Sequence, residues 1–164
     1  MTHHKLIIDV KHQKARLYEG RRLKEIFNIS TSKNGLGSIE GSECTPAGAL
    51  RVAEKIGDGA PLGAIFKTRV ENGIWDGQER ANKSPILTRI LWLEGTEPSN
   101  QNTHDRYIYL HGTSHENKLG TPNSQGCIVF SNKDIIKVFD SLQTGDVVKV
   151  LPPQTRPHSP DHIP

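Results

Sequence analysis

Residues Tyr109–Asn132, YLHGTSHENKLGTPNSQGCIVFSN, join two β-type runs through a polar, glycine-bearing loop, with a histidine closing the first run and a cysteine opening the second. His111 follows Tyr107, Ile108, Tyr109 and Leu110; Cys127 stands between Gly126 and Ile128-Val129-Phe130. Two neighbouring strands joined by this loop bring an imidazole within hydrogen-bonding reach of a thiol, the geometry that makes a thiolate near neutral pH. Gly126 permits a tight backbone at the sulfur, so the amides around Cys127 face a developing oxyanion. The spacing predicts a cysteine nucleophile with its base.

Blander readings compete. Cys127 beside three apolar residues also suits an inert core cysteine, since free cysteine is among the most buried residue types. His111 alone suits a satisfied strand-end histidine, and only its pairing with Cys127 lifts it. His104, His111, His115 and Cys127 form a conceivable zinc set, and His111 and His115 have the i, i+4 spacing of a helix. Gly112 and the polar loop argue against that helix, and the glutamate placed for hydrolysis in zinc proteases is missing. Cys44, in a turn beside Thr45-Pro46, reads as a plain thiol.

Upstream the chain reads as short strands punctuated by turns. Lys5–Val10 is a β run, Ala15–Tyr18 and Leu23–Ser30 form a hairpin turning at Glu19-Gly20, and Leu50–Ala53 and Ala64–Val70 are further strands. Pro85–Leu93, PILTRILWL, reads as a core strand with Trp92 inside, and Glu94–Asp105 as loop. The polar segment Glu71–Ser84 has the length of a flap. Thr45-Pro46-Ala47-Gly48 is a turn signal and not a phosphate cradle. Downstream, Lys133–Leu142 predicts a helix capped by Ser131 or Asn132, with Ile135, Ile136, Val138, Phe139 and Leu142 on one face. Asp146–Leu151 is a last strand. The organisation is then one domain over residues 1–151 and a loose tail over 152–164, which holds five of the ten prolines.

Composition bounds the partners. With 21 Lys and Arg against 18 Asp and Glu, the net charge is +3, too little and too dispersed for a nucleic-acid binder. Two cysteines do not make a disulfide framework, and a Cys44–Cys127 bridge would consume the nucleophile, so both thiols are expected free. No stretch has the length of a membrane span, and MTHHKLIIDV has no signal-peptide core. A monomer without cofactor or metal is expected.

The chain resembles the L,D-transpeptidase catalytic domain, the YkuD family, through His111-Gly112-Thr113, Leu119-Gly120-Thr121-Pro122, Ser124-Gln125-Gly126-Cys127 and Ser131-Asn132-Lys133-Asp134. Leu6–Tyr18 resembles the family's opening strand pair, Ile29–Gly37 its next strand and turn, and Thr45–Gly48 its threonine-proline turn. The resemblance spans roughly residues 5–151 and implies a mostly β fold, an L,D-transpeptidase-like β-sandwich with one short helix after the nucleophile strand.

It also implies a cysteine acyltransferase acting on peptidoglycan stem peptides. Cys127 would attack the amide after the stem's third centre, release D-alanine and form a thioester; His111 would be the base, its ring oriented by the carbonyl of Gly112 or Thr113. Gly126 and Cys127 amides would serve the oxyanion, and Tyr109 and Ser124 would line the pocket. Where the family usually carries histidine before the glycine-cysteine pair this chain has Gln125, which donates a hydrogen bond but holds no titrating charge; where it usually carries arginine or another polar residue, this chain has Val129. This variant resembles a side branch some of whose members cut stems, so water as acceptor (an L,D-carboxypeptidase or amidase) and a non-catalytic cell-wall binding module stay open. The resemblance implies a periplasmic or envelope location, whereas the leaderless start is compatible with the cytoplasm.

Overall fold

Alternation builds the first layer. In the computed structural model, which describes residues 3–153, β1 (His4–Asp9), β2 (Lys14–Glu19) and β3 (Arg22–Ser30) form an antiparallel meander. Every second side chain goes inward, as the two-residue period of a strand requires: Leu6 and Ile8, Ala15 and Leu17, Phe27 and Ile29 are all buried. β4 (Gly48–Ile56) and β10 (Val147–Leu151) add Leu50, Val52, Val148 and Val150 to the same core. β10 lies parallel to β1 and antiparallel to β4.

The remaining strands carry the site. β7 (Ile86–Gly95) is buried over most of its length, as the apolar run Pro85–Leu93 predicted. It pairs with β8 (Tyr109–Gly112) along one edge, and with β4 and β5 (Ala64–Lys67) along the other. β8 runs parallel to β9 (Ile128–Phe130), which pairs antiparallel with β3. Because β4 bonds to both β10 and β7, the expected mostly β fold is hydrogen-bonded as a closed circuit of strands, from which β5 and β6 (Val70–Ile74) branch.

Two expectations change. The strand read over Ala64–Val70 is a hairpin: Thr68 and Arg69 have φ of 48° and 63°, so β5 turns back into β6. Tight hairpin turns need positive φ, normally supplied by Asn-Gly or Asp-Gly, and Thr-Arg gives no such signal. Trp92 is only half-buried. Its ring stacks on His104 at 3.9 Å between centroids, and the Arg69 guanidinium lies 4.8 Å from its centre, so it heads a surface aromatic cluster.

Helix α1 (Asn132–Ser141) packs Ile135, Val138 and Phe139 against β7 and β8. Ser131 caps it, its Oγ accepting from the Asp134 amide at 3.1 Å. Ser131→Ala is expected to cost about 1 kcal/mol, read as a lower denaturation midpoint with unchanged slope. An unchanged midpoint would show that the Glu116 carboxylate, which accepts the Asn132 amide at 2.7 Å, caps the helix by itself.

Candidate active site

The parallel pairing of β8 and β9 sets the register: His111 stands opposite Val129, and Leu110 opposite Ile128. Cys127, just before β9, therefore presents its side chain to the same face as His111, one pleat away along the neighbouring strand. Both line a cavity of about 560 Å³ with Thr113, Ser124, Gln125 and Val129.

The nucleophile loop is pinned from beneath. Ser124 N–H donates to Thr31 O and its carbonyl accepts from Lys33 N, so the loop rides on the continuation of β3. Thr45 Oγ1 donates to Gly126 O at 2.9 Å, which gives the Thr45-Pro46 turn its task of holding the residue before the cysteine. Gly126 has φ of 122°, a conformation that side chains other than hydrogen strain to adopt.

His111 is buried, and its Nδ1 donates to Gly112 O at 2.6 Å. The carbonyl only accepts, so the proton sits on Nδ1 and Nε2 keeps its lone pair. Of the two carbonyls considered from sequence, Gly112 supplies the orienting one; Thr113 O accepts instead from Asn132 Nδ2 at 2.7 Å. Burial pushes the His111 pKa down to about 4, with the Gly112 bond opposing.

The direct imidazole–thiol bond expected from sequence is not formed. Cys127 Sγ accepts from Tyr109 N–H at 3.3 Å and donates to Tyr107 O at 3.5 Å, and no hydrogen bond joins it to His111. Tyr107 has φ of 57°, a turn that aims its carbonyl at the sulfur. Burial pushes the Cys127 thiol up to about 11, against smaller opposing effects of the Tyr109 amide and Arg106. The resting pair is therefore thiol and neutral imidazole.

Other expectations divide. Ser124 lines the cavity, and its Oγ donates to Cys127 O at 2.5 Å and accepts from Gly126 N–H at 3.2 Å. The Gly126 amide is thus engaged at rest and reaches an oxyanion only by leaving Ser124. Gln125 is exposed at the cavity. Tyr109 lies outside it: its ring packs edge-on to Trp92, and its hydroxyl accepts from Arg69 at 3.2 Å. The Glu71–Ser84 segment does approach the cavity through Ala81, Asn82 and Ser84, and its Arg80 carbonyl accepts from His115 Nε2 at 3.1 Å. His104 is drawn away to Trp92 and Glu54, and among the described residues no three His, Cys, Asp or Glu side chains converge as a ligand set.

Three features escaped the sequence. Lys33 and Lys118 line the cavity, no carboxylate does, and among the described residues neither lysine forms an ion pair. Two loops distant in sequence supply them, without a motif. The third is a bulge: between Leu87 and Ile90 the β7–β8 ladder slips, leaving Thr88 and Arg89 unpaired opposite His111-Gly112. Thr88 has φ of 77° and is fully buried, a strain of order 1–3 kcal/mol.

A closed β circuit with a histidine on one of two adjacent parallel strands and a cysteine leading into the other defines the class. The sequence matches the family described as the L,D-transpeptidase catalytic domain, YkuD, over residues 3–150, and the chain belongs to that family. Among curated proteins none matches. Solved structures of similar fold include an L,D-transpeptidase from Mycobacterium smegmatis (14% identity, TM-score 0.61, covering 92% of this chain and 59% of that one). One from Xylanimonas cellulosilytica gives 19% identity and TM-score 0.60, covering 92% of this chain and 61% of that one. L,D-transpeptidase 3 from Mycobacterium tuberculosis, solved with a faropenem-derived adduct, gives 13% and 0.59, covering 91% and 60%. The chain thus spans about six-tenths of the length of these structures. Among the described residues, no helix is long and apolar enough to cross a membrane.

Proposed function

We propose that the chain is a cysteine acyltransferase acting on peptidoglycan stem peptides, with Cys127 as nucleophile and His111 as base. The observation that carries this reading is the 2.6 Å contact of His111 Nδ1 with Gly112 O: a carbonyl only accepts, so the proton belongs on Nδ1, and the Nε2 lone pair is left free on a ring that shares a cavity with the sulfur. The two lysines add to it, since an anionic stem finds cations there and no competing carboxylate.

Chemistry follows in order. Substrate entering the cavity displaces the thiol from Tyr107 O, and Sγ–H turns to His111 Nε2. The proton passes to Nε2 while sulfur bonds to the carbonyl carbon, whose oxygen takes the charge. The Cys127 amide, joined by Gly126 once Ser124 releases it, stabilises that oxyanion. Imidazolium then returns the proton to the leaving amine, the C–N bond breaks, D-alanine departs and a thioester remains. An amine acceptor gives a cross-link and water gives a trimmed stem; Gln125 at the cavity offers a neutral donor where a histidine would titrate.

Intact-mass measurement after incubation with disaccharide-tetrapeptide tests this. A Cys127 adduct short of one D-alanine is expected, absent in Cys127→Ala, and the released product separates dimer from trimmed monomer. Unmodified protein and unchanged substrate would refute acyl transfer and leave a binding module.

A further inference from the structure

Thr88 and Asn132 hydrogen-bond to neither sulfur nor imidazole, yet a directed chain of hydrogen bonds runs through them to Thr113, the neighbour of the residue whose carbonyl orients His111. Gly63 N–H donates to Thr88 Oγ1 at 3.0 Å, and Thr88 Oγ1 donates to Asn132 Oδ1 at 2.6 Å. Asn132 Nδ2 donates to Thr113 O at 2.7 Å and to Glu116 Oε2 at 3.0 Å, and Glu116 Oε2 also accepts the Asn132 backbone amide at 2.7 Å. Each group has one direction in which it works. The Asn132 carboxamide cannot flip without setting acceptor against acceptor at Thr113 O and Glu116 Oε2 and its NH2 against the hydroxyl proton of Thr88. Gly112 lies inside this frame, its Cα backed by Asn132 Oδ1 and Leu87 O.

We propose that Thr88 and Asn132 are positioning residues for His111: they anchor the Thr113–Ser114 peptide through Thr113 O and wall the Gly112 Cα with Asn132 Oδ1, so that the Gly112–Thr113 peptide between these two points keeps its carbonyl on Nδ1–H and leaves Nε2 free. The claim rests on His111 being the base, but its first readout does not require turnover. Packing alone does not call for the arrangement. Valine would fill the Thr88 site with the same shape and the same backbone strain, and an apolar residue would serve better in a buried bulge if the hydroxyl had no task. The bulge stands directly across the ladder from His111-Gly112, where an extra residue re-aims a side chain beside a site.

The test compares Thr88→Val, Thr88→Ser and Asn132→Ala with wild type, by nitrogen NMR of the His111 ring in the free protein and by steady-state kinetics. Wild type and Thr88→Ser should hold the Nδ1–H tautomer. Thr88→Val and Asn132→Ala should populate the Nε2–H tautomer, and kcat should fall about a hundredfold at unchanged KM, with serine restoring it. If Thr88→Val fails to fold, Asn132→Ala decides alone, since alanine is a good helix residue at that first-turn position. A folded Thr88→Val or Asn132→Ala that keeps the wild-type tautomer and kcat, losing only melting temperature, would overturn the proposal. If wild type itself never acylates, the functional reading fails and the tautomer comparison still decides the positioning claim.

Discussion

Replacing His111 by glutamine is expected to slow acylation of Cys127 by a stem peptide about a thousandfold, the usual scale for removing a positioned base. Glutamine can still donate to Gly112 O from a strand whose pairing it does not disturb, so circular dichroism should change little. The pH dependence makes the prediction sharper. With the thiol at about 11 and the imidazole at about 4, the free enzyme holds no thiolate–imidazolium pair at neutral pH. Iodoacetamide should therefore label free Cys127 at a rate that climbs with pH toward about 11, without a plateau between pH 5 and 9. A plateau there would mean that an ion pair exists at rest, and the Tyr107-bound thiol would not be the resting state.

The same burial links His111 to stability. An unfolded chain takes up this proton near pH 6.5, whereas the folded one resists until about pH 4. Stability is thus fully present above pH 6.5 and is lost as pH falls to about 4, by about 3 kcal/mol for a shift of this size. The His111→Gln variant should lack that loss, so its stability between pH 7 and 4 should fall less steeply than wild type. Parallel acid profiles for the two proteins would show that the ring is protonated in the fold.

Strands with one buried face were legible because their side chains alternate: Leu6, Ile8, Leu17, Phe27 and Ile29 identify β1 to β3 without tertiary information. The helix announced itself through Ser131, Asp134 and the Ile135–Phe139 face. Pairing was legible only locally: the hairpin of β2 and β3 and the adjacency of the strands flanking the His111–Cys127 loop could be read, while strand direction and distant partners could not. The parallel direction of β8 and β9, and the β4–β7 contact that closes the circuit, depend on crossover paths and not on local pattern. Cys127 and His111 could be named because chemistry restricts their residue types. Lys33, Lys118 and Thr88 could not: a surface lysine is ordinary anywhere, and a threonine with positive φ has no sequence signature at all. The sulfur's partners were missed for a related reason, since backbone groups of Tyr107 and Tyr109 hold it and any residue supplies those.

Gly112→Ala is expected to cost about 3 kcal/mol or more and to take activity with it, although nothing about its φ requires glycine. The added methyl would come against Asn132 Oδ1 and stand 2.8 Å from Leu87 O, a ladder carbonyl that cannot yield without opening β7 from β8. Overpacking of this kind typically costs 1–3 kcal/mol, and pushing Asn132 aside leaves buried Thr88 and Thr113 groups unpaired at about 1–3 kcal/mol more. Gly120, on the loop that follows β8, offers the opposite case: its φ is 99° and nothing lies within 4 Å of an added methyl. Gly120→Ala should cost only the backbone strain, about 1–2 kcal/mol, with kcat preserved. Coupling separates the two causes. In Gly112→Ala combined with Asn132→Ala the wall is gone, so the double variant should lose less than the sum of the singles, by 1 kcal/mol or so. Strict additivity in denaturant melts would mean that Gly112 is constrained by Leu87 alone, and that the carboxamide of Asn132 does not press on the residue that orients the histidine.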